Sequence, residues 1–343
     1  MKKKALTFGS MLLALVFFLA ACGGGNDSGA TKTASEGDDS ASSDETITLQ
    51  LAENQPDDFP TTIGDKEFAR LVEEKTDGRY KIEVYSGGQL GDEKSVIEQI
   101  QLGSIDLARV NGTPLTEFND HIGVLMLPFL FESQEEKWEV WEGDVGQGIL
   151  DTFEEESNMV GLAYYDNGER FFYNSQGPIE TLDDMNGLKI RVQESELAID
   201  IVEALGASAT PMSYDQVYSS IQTGVIDGGE NNFPSFFTSG HYEVAEYASL
   251  PGYQSIPEVL IGSKELWDSL SEEDQKIFKE AAMESVKVQR EAWDELVEEA
   301  MAEVEENGNE ISEIENIDEW REAVQSVYEK HGEQYQEWLD QLQ

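Results

Sequence analysis

The chain has 343 residues, and 71 acidic residues against 22 lysines and arginines give it a formal net charge of −49 at pH 7. Nucleic acid and anionic lipid would be repelled by such a surface, so neither is expected as a ligand. Self-repulsion of this size is tolerated where salt screens it, which suggests a saline or alkaline habitat. Carboxylates are abundant in this composition, whereas each arginine occupies one of few positions and stands out.

The N-terminus has the pattern of an export signal. Three lysines at positions 2–4 precede an apolar run over residues 11–19, which is too short for a convincing membrane-spanning helix. The Leu-Ala-Ala-Cys that follows resembles the bacterial lipobox, in which the cysteine becomes the lipidated first residue of the mature protein. We therefore expect residues 1–22 to be a lipoprotein signal peptide and Cys22, the only cysteine of the chain, to carry the lipid.

Residues 23–45 are rich in Gly, Ser, Thr, Asp and Glu and contain hardly an apolar side chain. Such a segment cannot bury enough surface to offset chain entropy, so it is predicted to be a flexible tether. About 300 residues follow, which is long for a single core and comfortable for two domains.

Strand and helix patterns alternate along the rest of the chain. The first unit has predicted strands at 47–51, 80–85 and 105–110, with a helical stretch around Phe68 and a helix at 93–102 between them. The second unit has strands at 162–165, 171–173 and 188–192 and helices at 198–205 and 214–223. This rhythm is typical of parallel sheets with helices on their faces, and two such units imply a cleft.

Apolar residues then recur at helical spacing from Ser271 until Asn307-Gly308 ends the pattern. One unbroken helix would exceed about thirty residues, or about 45 Å at roughly 1.5 Å per residue, long enough to lie across both units. Two shorter helices with a bend are the alternative.

The sequence offers no recognisable catalytic or metal-binding motif. The three histidines, His121, His241 and His331, lack the spacing of a zinc site. No nucleophile elbow or calcium loop occurs, and the glycine-rich run at 87–92 lacks the Lys-Ser/Thr of a phosphate cradle. Paired carboxylates carry no signal in so acidic a chain. The protein is therefore not expected to be an enzyme, nor to hold a metal or cofactor.

Arg191 lies at the end of an apolar predicted strand, where α/β clefts receive their ligands. Its planar guanidinium can meet a carboxylate with two parallel hydrogen bonds, a geometry that lysine cannot copy. The residue types thus favour an anion site, although a pairing of Arg191 with one of the many local acids is the alternative.

Several ordered motifs then point to a family. Residues 178–192 read Pro-Ile-Glu-Thr-Leu-Asp-Asp-Met-Asn-Gly-Leu-Lys-Ile-Arg-Val, and residues 226–231 read Ile-Asp-Gly-Gly-Glu-Asn. Earlier, residues 88–92 read Gly-Gln-Leu-Gly-Asp and residues 127–131 read Leu-Pro-Phe-Leu-Phe. In this order and spacing they resemble the solute receptors of tripartite ATP-independent periplasmic (TRAP) transporters, from residue 47 to the end.

The resemblance implies an α/β fold of the two-domain periplasmic-binding-protein kind, similar to type II, with a central cleft, crossing hinge strands and a long domain-spanning helix. Domain I is expected to comprise residues 46–168 and about 257–296, and domain II residues 169–256 and about 297–343. Ligand would favour the closed arrangement of the two domains because contacts to the second domain exist only on closure.

The resemblance also implies roles for single residues. Arg191 matches the arginine that clamps the ligand carboxylate, Asn231 the asparagine that assists it, and Arg170 a second arginine that approaches the ligand. The other expected substrate-binding positions are Tyr214, which packs a ring on the ligand, Asn111 and Glu93 on the opposite wall, and Asn54 and Gln55 after the first strand. A core position for Tyr214 and a helix N-terminal role for Glu93 are the plainer alternatives.

Four runs look most like the branch that binds hexuronates such as glucuronate or galacturonate: residues 53–56, 170–173, 191–193 and 230–235. One departure is Glu53, where that branch often has histidine. A C4-dicarboxylate receptor is the alternative, with Arg170 or Arg109 as the second cationic site. An exported uronate-acting lyase or hydrolase is the alternative from another class.

The resemblance implies two integral membrane permease subunits, one small and one large, driven by a sodium gradient. The receptor is expected to be a monomer, exported and held by its lipid at the outer face of the cytoplasmic membrane. A sensor that docks on a signalling ectodomain would have the same fold and pocket, so that alternative stays open.

Overall fold

The computed structural model describes residues 46–342. The predicted signal peptide, Cys22 and the tether lie outside the described residues. The described strands are β1 (Ile47–Ala52), β2 (Tyr80–Tyr85), β3 (Leu107–Asn111), β4 (Met159–Tyr165), β5 (Phe171–Asn174), β6 (Lys189–Val192), β7 (Ser208–Pro211), β8 (Gly228–Asn231), β9 (Tyr247–Leu250), β10 (Glu258–Ser263) and β11 (Glu310–Glu313).

These strands form two sheets. The first has the order β2-β1-β3-β10-β4, and the second has the order β11-β9-β5-β8-β6-β7. In the first sheet β1 runs parallel to β2 and β3, while β10 is antiparallel to both β3 and β4. In the second, β6 runs parallel to β7 and β8, while β5 is antiparallel to β8 and β9. The predicted α/β fold with two units is confirmed, and each sheet also holds an antiparallel strand that arrives from the other sheet.

Helices cover the sheets. The α-helices are α1 (Pro60–Lys75), α2 (Glu93–Gln101), α3 (Gly112–Leu115), α4 (Gln134–Glu142), α5 (Asp144–Glu156), α6 (Glu196–Ala204), α7 (Val217–Gln222), α8 (Phe233–Thr238), α9 (Lys264–Ser269), α10 (Glu272–Asn307), α11 (Ile317–Ala323) and α12 (Gln325–Leu339). The 3₁₀ helices are Asp120–Met126, Leu182–Met185, Tyr214–Gln216 and His241–Glu243. The helix predicted at 214–223 is thus a 3₁₀ turn followed by α7. No helix in the described range 46–342 is long and apolar enough to cross a membrane.

The chain crosses between the sheets in two adjacent extended segments, from β4 to β5 and from β9 to β10. The two segments hold each other through a bridge between Glu169 and Ser255 and a hydrogen bond of 2.9 Å from the Arg170 N–H to the Gln254 carbonyl. This pair of crossings places Arg170 at the base of the space between the two sheets.

Helix α10 is a single unbroken helix of 36 residues, so the two-helix alternative is wrong. At roughly 1.5 Å per residue it is about 54 Å long. The Ser271 side chain caps its N-terminus by accepting from the Asp274 N–H, and Gly308 ends it with a φ of 90°, which is left-handed and favours glycine. The helix packs on α1 and β4 beside the first sheet and on α8 beside the second.

The C-terminal helix α12 also contacts both sides. The Tyr328 hydroxyl donates to the Pro128 carbonyl at 2.8 Å, and the Lys330 ammonium donates to Glu196 at 2.8 Å. Pro128 follows the 3₁₀ helix beside the first sheet, whereas Glu196 begins α6 beside the second. The residue bounds of the two domains therefore stay a prediction.

Candidate binding site

A narrow cavity of about 20 Å³ lies between the two sheets. Polar side chains line it, and they are Asn54, Gln55, Glu93, Arg109, Asn111, Asn167, Arg170, Arg191, Gln193, Tyr214, Asn231, Ser235 and Glu258. Many of them follow parallel strands whose carboxyl ends meet at this edge, which is where open α/β sheets receive ligands. A wider cleft lined by Asn54, Glu93, Arg191 and Tyr214 among others adjoins the cavity and opens to solvent.

Arg109 on β3 organises the wall on the side of the first sheet. Its guanidinium pairs with Glu53, with 2.8 Å from Nε to Oε2, and its Nη1 donates to Glu258 Oε2 at 2.5 Å. A third bond of 2.5 Å goes to the Asn54 side-chain oxygen. The three charged residues of this ion cluster, Glu53, Arg109 and Glu258, are buried. The cationic head of Arg109 is therefore held by the protein itself.

Glu53 is held in place by its own neighbours as well. Its two carboxylate oxygens accept from the Gln55 N–H at 2.7 Å and from the Thr61 hydroxyl at 2.9 Å. The acidic residue that departs from the expected histidine thus neutralises Arg109 and fixes the loop after β1.

Glu93 and Asn111 complete this wall. Glu93 Oε1 accepts from the Asn111 N–H at 2.8 Å and lies 3.6 Å from Arg109 Nη1, while Oε2 accepts no bond from the described residues. The Asn111 amide donates to Glu258 at 2.8 Å and accepts from the Thr113 N–H at 3.0 Å, so it positions the wall. Burial, reinforced by the charge of Glu258, raises the pKa of Glu93 to about 7, although the charges of Arg191 and Arg170 oppose the shift.

Arg170 and Glu230 form a buried ion pair on the opposite side. Arg170 Nε donates to Glu230 Oε2 at 2.5 Å, and Nη2 donates to Oε1 at 2.8 Å. The remaining nitrogen, Nη1, donates to the Asn231 side-chain oxygen at 2.7 Å. Burial alone would lower the pKa of Arg170, but attraction to Glu230 outweighs it and raises that pKa above its ordinary value.

Arg191 on β6 differs from the other two cavity arginines. Its Nε and Nη2 donate to the Met212 carbonyl at 3.0 and 2.8 Å, and Nη1 has no partner among the described residues. No carboxylate of residues 46–342 forms a salt bridge with it, although the side chain is buried. Burial lowers the pKa of the Arg191 guanidinium, against the opposing charge of Glu230. The Tyr214 ring lies beside it, with 6.0 Å from the guanidinium carbon to the ring centre.

Two further polar groups face the cavity without a partner. Gln193 Oε1 is buried and accepts no hydrogen bond. The Asn231 side-chain nitrogen donates none within the described residues, because the bonds of that side chain come to its oxygen. A buried polar group left unpaired is costly, so such groups mark where a polar ligand would complete the bonding.

The structure brings all eight predicted positions, from Asn54 to Asn231, to this one cavity. Their ligand contacts stay a prediction, and Asn111 and Arg170 use their polar groups on protein neighbours. Sequence reasoning missed Asn167, Gln193, Ser235 and Glu258 as cavity residues. Gln193 could have been predicted, because it follows the end of the same strand as Arg191. Glu258 could not, because it lies on an antiparallel strand far along the chain.

Residues 51–335 match the family model described as DctP, bacterial extracellular solute-binding protein, family 7. The chain belongs to this family of TRAP solute-binding proteins. A solute-binding protein of Chromohalobacter salexigens is 37% identical to this DctP-family receptor over 282 residues, covering 82% of this chain and 84% of the relative. The family is extracytoplasmic and is not a class of enzyme.

Solved structures show the same fold. A TRAP periplasmic solute-binding protein of Bradyrhizobium, in complex with galacturonate, is 36% identical, with a TM-score of 0.84 and coverage of 86% of this chain and 99% of that one. One from Chromohalobacter salexigens with bound D-glucuronate is also 36% identical, with a TM-score of 0.82 and coverage of 86% and 97%. The predicted family and fold are confirmed.

Proposed function

We propose that this protein is the receptor of a TRAP transporter that binds a hexuronate, such as glucuronate or galacturonate, and passes it unchanged to the membrane permease. The observation that carries the proposal is the difference among the cavity arginines. Arg109 and Arg170 are paired with buried acids, whereas Arg191 donates only to a backbone carbonyl. A buried guanidinium with a free donor is suited to a ligand carboxylate.

The rest of the cavity suits a polyhydroxylated body. Gln193 and Glu93 each offer an acceptor without a partner, and Asn231 offers a donor. The cavity is narrow, and the adjoining cleft of about 490 Å³ provides room for a single sugar beside Arg191. The uronate complexes of similar receptors support the same ligand class.

A C4-dicarboxylate is less well supported. It needs a second cationic site, and both arginines that the sequence offered for it are engaged by acids. Some relatives do bind such acids, for example the C4-dicarboxylate-binding protein DctB of Bacillus subtilis, which is 26% identical over 305 residues.

The proposed transport role depends on closure of the two domains around the ligand. The ligand carboxylate would dock on Arg191, contacts to the first-sheet wall would follow, and the closed receptor would then meet the permease. Lipid on Cys22 would keep the receptor near the small and large membrane subunits, at the outer face of the cytoplasmic membrane. The receptor acts as a monomer in this scheme.

A thermal-shift screen tests the proposal. The purified protein and the Arg191→Ala variant would be melted with hexuronates, aldonates, C4-dicarboxylates, sialic acid and neutral sugars. Ligand at a hundredfold excess over Kd stabilises the native state by about 2.7 kcal/mol. We expect a shift with hexuronates that Arg191→Ala abolishes. A shift with succinate or malate alone would move the assignment to a dicarboxylate receptor, and consumption of uronate without a shift would indicate a lyase or hydrolase.

A further inference from the structure

We propose that the wall carrying Glu93 and Glu258 is a charge filter that restricts this receptor to acids with a single carboxylate. This inference rests on the proposed function and narrows its substrate class. The first-sheet wall would then determine specificity by rejecting a charge, in addition to accepting hydroxyl groups.

The wall has more acids than cations. Glu53, Glu93 and Glu258 surround the single guanidinium of Arg109, at 2.8, 3.6 and 2.5 Å. Because Glu53, Glu258 and Asn54 already take its nitrogens, Arg109 cannot turn toward a ligand without leaving a buried carboxylate unpaired.

A fourth acid lies behind this cluster. Asp65 on α1 is fully buried, and neither of its oxygens has a hydrogen-bond partner. Burial and the charge of Glu258 raise the pKa of Asp65. No cation among the described residues pairs with it, so this side of the cavity has no spare cation for a ligand. Because its raised pKa favours the neutral form, Asp65 adds no charge of its own.

The two walls therefore present opposite chemistry to the cavity. Arg191 offers an unpaired cation on the second-sheet side, and Glu93 Oε2 offers an unpaired acceptor on the first-sheet side. A uronate fits this arrangement with its carboxylate on Arg191 and a hydroxyl donating to Glu93. When Glu93 is ionised, a second carboxylate at the same place would find no donor there and would meet a like charge, which is costly when both groups are desolvated.

Gluconate and glucarate provide a matched test, because they differ only in carrying one or two terminal carboxylates. Their affinities would be measured by competition against D-glucuronate for the wild type, Glu93→Gln and Glu98→Gln. Glu98 is an exposed acid on the same helix, so its variant removes the same charge away from the cavity. We expect the wild type to bind gluconate on the order of 100-fold more tightly than glucarate. Glu93→Gln should raise glucarate affinity at least about tenfold, whereas Glu98→Gln should leave it unchanged.

The discrimination should also depend on pH. Arg109, Glu258, Arg191 and Arg170 face Glu93 from the surrounding strands and the β4–β5 crossing. Glucarate should be rejected more strongly at pH 8.5 than at pH 6 in the wild type, and equally at both in Glu93→Gln. Glucarate binding as tight as that of gluconate, or glucarate affinity unchanged in Glu93→Gln, would overturn the filter. Absence of hexuronate binding to the wild type would instead refute the proposed function.

Discussion

The hydroxyl oxygens of Thr116 and Ser195 lie 2.8 Å apart, and this contact joins the two sides of the cleft. Thr116 follows β3 and α3 beside the first sheet, whereas Ser195 is the N-cap of α6 beside the second. The Ser195 side chain makes no capping bond to its own helix, and the Glu196 N–H donates instead to Glu117 at 3.3 Å. The N-terminus of α6 is thus capped from the opposite side, and these contacts hold the two sides of the cleft together.

Replacing Thr116 with valine, which keeps the shape, should weaken closure and therefore ligand binding. The variant loses the bond to Ser195 and also a bond to the Thr113 carbonyl of its own turn. The bond to Ser195 is worth about 1 kcal/mol, or roughly fivefold in affinity. Calorimetric titration with D-glucuronate would measure this loss of affinity. Thr223→Val is the control, because the Thr223 hydroxyl bonds only to the Ser219 carbonyl of its own helix. Equal affinities for both variants would contradict a bridging role.

Removing Glu230 should destabilise the fold, because it leaves Arg170 buried without its counter-ion. Breaking such a pair costs about 3–5 kcal/mol. Urea denaturation of Glu230→Ala should show this loss in the free energy of unfolding. In the control, Glu83→Ala removes an exposed partner of Lys81 and should leave that energy nearly unchanged, because solvent screens such a pair. Similar losses in both variants would show that the buried pair has no special weight.

Gln193→Met should change stability and affinity in opposite directions. The buried Gln193 oxygen has no partner without ligand, so its removal should leave the free energy of unfolding unchanged or raise it by about 1 kcal/mol. Loss of its bond to a ligand hydroxyl should weaken hexuronate binding about tenfold. Gln289→Met is the matched control, since Gln289 bonds to both the N–H and the carbonyl of Asp166 and should lose stability. A destabilised Gln193→Met with normal affinity would show that Gln193 serves the fold.

Glu93 should make the protein less stable as pH rises. Its pKa is raised from an ordinary 4.5 to about 7, so between these values the folded state holds a proton that the unfolded state has released. The penalty grows from about pH 4.5 to 7 and then levels off, up to roughly 3 kcal/mol. The free energy of unfolding of Glu93→Gln, relative to the wild type, should therefore increase over that range. A difference in the free energy of unfolding that is flat in pH would contradict the buried, proton-holding state of Glu93.

Much of the fold could be predicted because its signals are local. The period of apolar residues identified α10 through to the left-handed Gly308, and strand-helix alternation identified β1, β2 and β3. Arg191 was conspicuous because cations are scarce in this chain, and it lies in the cavity.

The other parts of the fold and of the site could not be predicted, because they depend on contacts between residues that are distant in the sequence. β8 reads Gly-Gly-Glu-Asn, with no apolar alternation, and a Cβ at Gly228 would lie 1.9 Å from the Tyr173 carbonyl oxygen of the neighbouring strand. That close approach becomes visible only once β5 and β8 are paired. Glu258 likewise reaches Arg109 only through the antiparallel insertion of β10, and one glutamate among 71 acidic residues carries no signal of its own.

Calorimetric titration of the wild type and Arg191→Lys with D-glucuronate and D-glucose tests the central claim most directly. The two sugars differ by the carboxylate, and the variant keeps a positive charge but loses the guanidinium fork. We predict one-to-one binding of D-glucuronate to the wild type, no measurable binding of D-glucose, and at least about tenfold weaker binding of D-glucuronate to Arg191→Lys. Comparable binding of both sugars, or an unaltered affinity in the variant, would contradict a receptor that recognises its ligand through a carboxylate on Arg191.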